Sequence, residues 1–367
     1  IRQLMSSLYI HIPFCASACP YCDFAFVVGR DGIGSRYVDA LIAEFSRRSE
    51  NLDGVDTVYF GGGTPSALAP PNLGRILNAV NERFDISEAE VTLEANPNDH
   101  AKFADFRNLG ITRLSLGVQS TNLQTLKRLG RTHGPIDVSI AVDLARQAGF
   151  DNVNVDAIFG CPDQSLSDWK KDLTNLLELG PDHLSLYGLT VEPETQYARL
   201  QDNGQLPLPD EDTQSAMYDF ALSLTERAGL EQYEISNFAR PRFESRHNLA
   251  CWNGEAYLGI GMSAHSFLGR RRTWNARRLN DYLDRIESGD KAQVGFEILN
   301  DQKRQIERVM LGLRTRDGID VSLLSTQRSA DRLVSENLIE HAGNGLRLTR
   351  KGKHIADLVC AELVRDL

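Results

Sequence analysis

Between residue 8 and about residue 190 the chain alternates six short β-type runs with helix-period segments, and this alternation constrains the fold more than any other feature. The strand candidates are "LYIHI" (8–12), "TVYF" (57–60), "EVTLEA" (90–95), "RLSLGV" (113–118), "VNVDAIF" (153–159) and "HLSLYGL" (183–189). Amphipathic segments at 36–48, 71–84, 137–150 and 165–180 separate them. The last opens on a capping-box pair, Ser165 and Asp168, and ends at Gly180. Strand–helix alternation of this kind implies an α/β unit with a parallel sheet, open or rolled into a partial barrel, over residues 1–200. Six units are two short of a closed eight-fold barrel, and in either architecture ligands collect at the carboxyl ends of the strands.

After residue 200 the rhythm changes. "NGQLPLPDED" (203–212) is a Pro/Asp-rich connector, followed by a helix near 213–229. "YEISNFA" (233–239) and the glycine-rich "YLGIGMSAHSFLG" (257–269) read as strands and loops, giving an extension over 201–295. From 296 to 367 a strongly amphipathic helix ("DQKRQIERVMLGLR") precedes a helix, a hairpin across Asn344-Gly345 and a last helix. That order predicts a small, mostly helical, winged-helix-like C-terminal domain. We read it as a packing module rather than a nucleic-acid binder, because 40 basic against 50 acidic residues leave a net charge of -10. No run of 18 apolar residues exists, and Ile1 to Leu8 lacks the apolar stretch of a signal peptide. A cytoplasmic protein is therefore expected.

Directly after the first strand, "HIPFCASACPYCDF" (11–24) places Cys15, Cys19 and Cys22 within eight positions, with Phe24 where a fourth thiol would fit. A structural zinc site wants four protein ligands, usually as two spaced pairs, and no second pair is present. A disulfide would leave one cysteine over. His11 lies in an alternating strand, where a packed or hydrogen-bonded role is the common one. Three thiolates on one loop suit a 4Fe-4S cluster with one iron left open, since fully ligated clusters take four cysteines. Cys161 and Cys360 read as ordinary buried thiols.

The C-x3-C-x2-C loop resembles the signature of the radical S-adenosylmethionine (SAM) superfamily, in which the methionine end of SAM chelates the open iron. The resemblance implies a partial (βα)6 TIM-like barrel and SAM as cofactor. It extends along nearly the whole chain to the oxygen-independent coproporphyrinogen III oxidase family, through "LYIHIPFC", "PYCDF", "GGGTPS", "EANP", "SLGVQS", "GRTH", "NVDAIFG", "ISNFA" and "YLGIGMSAHS". By motif, Tyr9, Gly62, Gly63, Thr64, Glu94, Gln119, Arg131 and Asp156 correspond to SAM-site positions, and Tyr21 to an aromatic position in the cysteine loop. A second SAM region would map near Thr190 and Ala264. The oxidases carry a fourth cysteine where Phe24 stands, and a longer segment before the first strand. Both departures point to the HemW branch, the radical SAM haem chaperones.

For that branch the resemblance implies haem as cargo, haem-accepting apoproteins as partners, and a reductant such as flavodoxin or ferredoxin if SAM is cleaved. Its H-N-x-x-Y-W motif corresponds to "HNLACW" (247–252), with Cys251 in place of tyrosine. His247 and Cys251 are candidate iron ligands and Trp252 a candidate stacking partner, against the alternative of a structural loop. His265 in "GMSAHS" is a further candidate. Arg270, Arg271, Arg272, Arg277 and Arg278 form either a solvated basic face or a patch for porphyrin carboxylates or anionic lipid heads, which would bring peripheral membrane contact. A coproporphyrinogen oxidase and a radical SAM methyltransferase acting on a tetrapyrrole remain alternative activities.

Overall fold

A computed structural model describes residues 6–29, 34–365 and 367. Residues 1–5, most of the stretch read for a leader, lie outside the described residues. The six expected strands form as β1 (Ser7–Ile12), β2 (Thr57–Gly62), β3 (Glu90–Ala95), β4 (Arg113–Gln119), β5 (Asn152–Phe159) and β6 (His183–Gly188). Each pairs in parallel with the next in chain order. Crossover helices join them, among them Gly34–Arg48, Pro70–Arg83, Pro135–Gln147 and Leu166–Glu178. The last starts at Ser165, whose hydroxyl accepts from the Asp168 N–H while Asp168 takes the Ser165 N–H, as the capping pair predicts.

The extension does not form a separate layer. It continues the same sheet at both ends. β7 (Glu231–Gln232) and β8 (Asn237–Ala239) add antiparallel strands beyond β6. β9 (Tyr257–Ile260) returns across the molecule and pairs in parallel with β1, and β10 (His265–Leu268), β11 (Arg271–Asn275) and β12 (Gln293–Ile298) follow antiparallel. The result is one twelve-stranded sheet ordered β12-β11-β10-β9-β1-β2-β3-β4-β5-β6-β8-β7. The "YEISNFA" run is broken, with only Asn237–Ala239 in strand conformation at its end. Glu234 near its start instead bridges Thr315 of the C-terminal unit.

The strands divide their side chains by period two. Leu8, Ile10, Ile12, Val58, Phe60, Val91, Leu93, Leu114, Leu116, Val153, Val155, Leu184 and Leu186 face the helices and make the main core. The alternate positions carry Tyr9, His11, Tyr59, Glu94, Arg113, Ser115, Asn154, Asp156 and Ser185. A parallel sheet covered on both faces reads as continuous apolar runs. Here one face is polar, so the barrel interior holds a polar cavity instead of packed aliphatic layers.

The C-terminal unit has its own apolar core, built around Val309, Leu313, Ile319, Leu333, Ile339, Leu346, Leu348 and Val359. Helices Asp301–Gly312, Arg328–Ser335 and Ala356–Val364 surround a three-stranded sheet containing the hairpin Ile339–Ala342 and Gly345–Leu348. It is tied to the barrel by ion pairs Arg350–Asp219, Arg316–Glu244 and Arg272–Glu307. Among the described residues no helix is long and apolar enough to cross a membrane.

Candidate functional site

The carboxyl ends of β1 to β6 open into a cavity of about 460 Å³. Its mouth is the cysteine loop and its walls are the polar strand face. Cys15, Cys19 and Cys22 are all free, half-buried and on the lining. The loop is anchored at several points. Phe14–Cys15 pairs with Val27–Val28, the Val27 N–H donates to the Pro13 carbonyl at 2.8 Å, and the Tyr197 N–H donates to the Pro20 carbonyl at 3.0 Å. His11 reaches from β1 to the Ala25 carbonyl through Nε2 at 2.8 Å, with the Tyr9 hydroxyl on Nδ1 at 3.1 Å. Burial holds this imidazole neutral by lowering its pKa.

The glycine turn after β2 meets the loop from the other side. The N–H groups of Gly63 and Thr64 donate to the carbonyls of Ile12 and Phe14, both at 2.8 Å. Gly62 has φ of 120°, a conformation that favours glycine. At Gly63 a Cβ would stand 2.6 Å from the Pro13 carbonyl oxygen and 3.0 Å from Cys15 Sγ, so the close approach requires glycine. The Thr64 hydroxyl donates to Cys15 Sγ at 3.6 Å, and Arg131 Nη1 donates to Cys19 Sγ at 3.7 Å. Without a cation, burial raises the Cys15 thiol pKa and pushes that of Cys22 up to about 11.

Two half-buried carboxyls line the walls. Glu94 accepts from the Tyr59 hydroxyl at 2.9 Å and from the Gly62 N–H at 3.1 Å. Burial, then the nearby Asp156, raises its pKa to about 7. Asp156 accepts from Asn154 Nδ2 at 2.7 Å and Ser115 Oγ at 3.1 Å, and burial raises its pKa as well. Gln119 ends β4 at a register shift with φ of 69°, an unusual conformation for a side-chain-bearing residue and one that clusters at functional sites. Arg131 Nη2 donates to the Gly117 carbonyl at 2.7 Å, while its Nε is buried without a partner.

The same architecture recurs in coproporphyrinogen III oxidase (HemN) from Escherichia coli, with a TM-score of 0.85 over 100% of this chain and 91% of that one at 24% identity. The radical SAM superfamily model matches residues 9–176, and the HemN C-terminal domain model matches 300–354. Heme chaperone HemW of Lactococcus lactis is 33% identical over 99% of this chain and 98% of its own length. The chain belongs to the HemW branch of the radical SAM superfamily. Heme chaperone HemW of Mycobacterium tuberculosis is 36% identical, covering 97% of this chain and 94% of its own.

In this HemW-family chain, Cys15, Cys19, Cys22, Tyr21, Gly62, Gly63, Thr64, Glu94, Gln119, Arg131, Asp156 and Thr190 all line one cavity. Tyr9 lies behind that lining, its ring stacked on Tyr59 at 6.2 Å, and Ala264 is buried elsewhere. The haem candidates fall outside the lining. His247, Cys251 and Trp252 lie on the short helix Arg246–Trp252, whose Asn248 does reach the cavity. His247 is buried, stacked on Tyr59 at 4.8 Å, with Nδ1 at 2.9 Å from the Thr57 hydroxyl. Burial lowers its pKa to about 4. Cys251 and Trp252 are half-buried. His265 is exposed and stacks on Trp274. Of the arginine cluster, Arg270 pairs with Asp301, Arg272 with Glu307, Arg277 with the Asp23 carbonyl, and Arg271 lies over the Phe296 ring.

Sequence reasoning missed Tyr59, Arg113, Ser115, Asn154, Ser185 and Asn248 on the lining. The signal was present for those on strands. In "RLSLGVQ", "NVNVDAIF" and "HLSLYG" polar side chains recur at alternate positions (Arg113, Ser115 and Gln119; Asn152, Asn154 and Asp156; His183 and Ser185), which a doubly covered parallel strand would not tolerate without a ligand or water beside it.

Proposed function

We propose that the chain is a haem chaperone that binds a 4Fe-4S cluster, SAM and haem and delivers haem to acceptor proteins. One observation carries the reading: a three-thiol loop without a fourth cysteine forms the mouth of a polar cavity, in a chain collinear with curated HemW proteins. Phe24, where the oxidases have that cysteine, is 65% exposed beside the mouth.

The donor set fits the implied groups. Cys15, Cys19 and Cys22 would hold the cluster. Among the described residues, no three His, Cys, Asp or Glu side chains converge on a single-ion site. The donors from Thr64 and Arg131 suit sulfurs that carry negative charge. When bound, the cluster supplies an electron to SAM, which calls for a flavodoxin- or ferredoxin-type reductant.

Glu94 would accept the ammonium of SAM, which requires loss of its proton. An ammonium beside it lowers its pKa and assists that loss. Arg131, with Nε still unclaimed, would take the carboxylate. Asp156 and Gln119 would position the ribose and adenine, with Tyr9 and Tyr21 shaping the wall. Of the haem candidates, His265 presents an exposed imidazole, while His247 must first leave the Thr57 hydroxyl and bring Cys251 and Trp252 with it. The site's location is the interior of the cell, where low-potential reductants are found.

Anaerobically reconstituted protein mixed with haem should develop a Soret band and pass haem to an acceptor apoprotein. Absence of haem binding sinks the reading. Loss of two carboxyl groups from coproporphyrinogen in the presence of SAM and reductant replaces it with the oxidase.

A further inference from the structure

The proposed roles leave one charged group unused. Arg113 starts β4 on the inner face, is 2% exposed, and lines the cavity below Ser115, Asn154 and Asp156. Among the described residues no acceptor takes a hydrogen bond from its guanidinium, and its Nε is buried without a partner. The two acids near it are already engaged. Asp156 is served by Asn154 and Ser115, and Glu94 by Tyr59 and Gly62. Directly across in register, the Thr92 hydroxyl is fully buried and also unpaired.

Glu94 and Asp156 stand close enough to feel the Arg113 charge but take no hydrogen bond from it, and a buried guanidinium nitrogen left without an acceptor is costly. The guanidinium's planar fork matches a carboxylate with two parallel hydrogen bonds. We propose that the floor of the barrel cavity is a binding subsite for an alkyl carboxylate, held by Arg113. The SAM carboxylate is assigned to Arg131 at the mouth, so the floor serves a second ligand. Two sources carry this chemistry: a propionate arm of a tetrapyrrole, or a small free carboxylic acid. The subsite goes beyond the haem reading, since a free acid satisfies it equally and haem bound on the outer surface would leave it intact.

The test uses the anaerobically reconstituted holoprotein, as wild type, Arg113→Gln and Arg113→Lys. Three probes are titrated at constant ionic strength: sodium propionate, haem, and haem with both propionates esterified. Chloride is the control anion. The proposal expects saturable binding of propionate, or a preference for haem over its diester of about 10- to 100-fold, as charged hydrogen bonds of this kind give. Propionate binding with no haem preference assigns a free acid. A haem preference assigns the tetrapyrrole arm. In either case Arg113→Gln abolishes the effect and Arg113→Lys recovers part of it. The wild-type titrations stand even if Arg113→Gln fails to fold. No saturable response to propionate together with equal affinity for haem and its diester overturns the proposal, as does an unchanged response in folded Arg113→Gln. Loss of haem binding altogether, with propionate binding retained, refutes the chaperone reading and leaves the subsite standing.

Discussion

Gly63→Ala should separate a cysteine loop merely near the glycine turn from one built against it. The added Cβ would stand 2.6 Å from the Pro13 carbonyl oxygen, 2.7 Å from its carbon and 3.0 Å from Cys15 Sγ. Reaching the 3.4 Å at which ordinary contact begins requires a displacement of about 0.8 Å, and the opposing atoms are backbone rather than a flexible side-chain tip. The strand is pinned here by the Gly63 to Ile12 and Thr64 to Phe14 bonds, so the shift passes to Pro13, Cys15 and the Thr64 hydroxyl contact. Overpacking of this kind costs about 1–3 kcal/mol, which in a chain of this length corresponds to a fall in Tm of about 1–4 °C. The control is Gly54→Ala, where a Cβ meets nothing within 4 Å. Iron and sulfide content, the cluster absorbance and the melting curve are measured after anaerobic reconstitution of both variants. Gly63→Ala should lose at least about half of its cluster and Gly54→Ala none. Equal cluster occupancy and equal Tm in the two variants would refute the close-approach argument.

Replacing any one of Cys15, Cys19 or Cys22 by Ala should abolish the cluster, read by iron content, whereas Cys161→Ala should retain it. Glu94 has its pKa raised in the folded chain to about 7 from an ordinary carboxyl value, so the protonated form is the one folding favours. Its stabilising contribution is complete below the unfolded pKa and is lost as pH rises through 7, by at most about 3 kcal/mol. Without SAM, Glu94→Gln should therefore melt higher than wild type at pH 8 and converge with it near pH 4.5. In the same variant SAM affinity, which in wild type should rise with pH through 7, becomes flat. His247→Ala removes a buried ring and its bond to Thr57, and should cost about 1–3 kcal/mol in chemical denaturation. His265→Ala should leave stability unchanged and shift the Soret band, and an unaltered haem spectrum would remove His265 from the candidates.

The barrel strands were legible because each alternates apolar and polar residues between clear helical segments. The cavity position of Glu94, Gln119 and Asp156 was legible because motif and strand end coincide: all three sit on inward positions of β3 to β5. The extension was not. β9 pairs with β1, its partner in register lying 250 residues away in sequence (Ser7 with Tyr257), and no local pattern encodes a pairing of that range. The "HNLACW" segment was hidden for the opposite reason. A histidine followed by asparagine and an aromatic reads as ligand chemistry, yet the helix begins at a Ser245 cap reinforced by Glu90, which accepts the N–H groups of Arg246 and His247, both at 3.1 Å. Those bonds come from a strand 156 residues earlier in the chain and fix His247 against Thr57.

Arg113 shows how a polar position can be visible in a sequence and still be passed over. At the start of "RLSLGV" an arginine looks like the solvated end of a strand, which is where most strand-terminal arginines lie. In this barrel Arg113, at the start of β4, lines the cavity, as does Asn248 of the helix Arg246–Trp252. The same alternation that sends Leu114 and Leu116 to the helices therefore sends Arg113, Ser115 and Gly117 to the interior. Once a sheet of parallel strands has one polar face, every residue on that face is a candidate for ligand contact, whether or not a motif contains it. The strand register, rather than the motif list, then sets the depth of the site: Gln119 at the mouth, Ser115 midway and Arg113 at the floor.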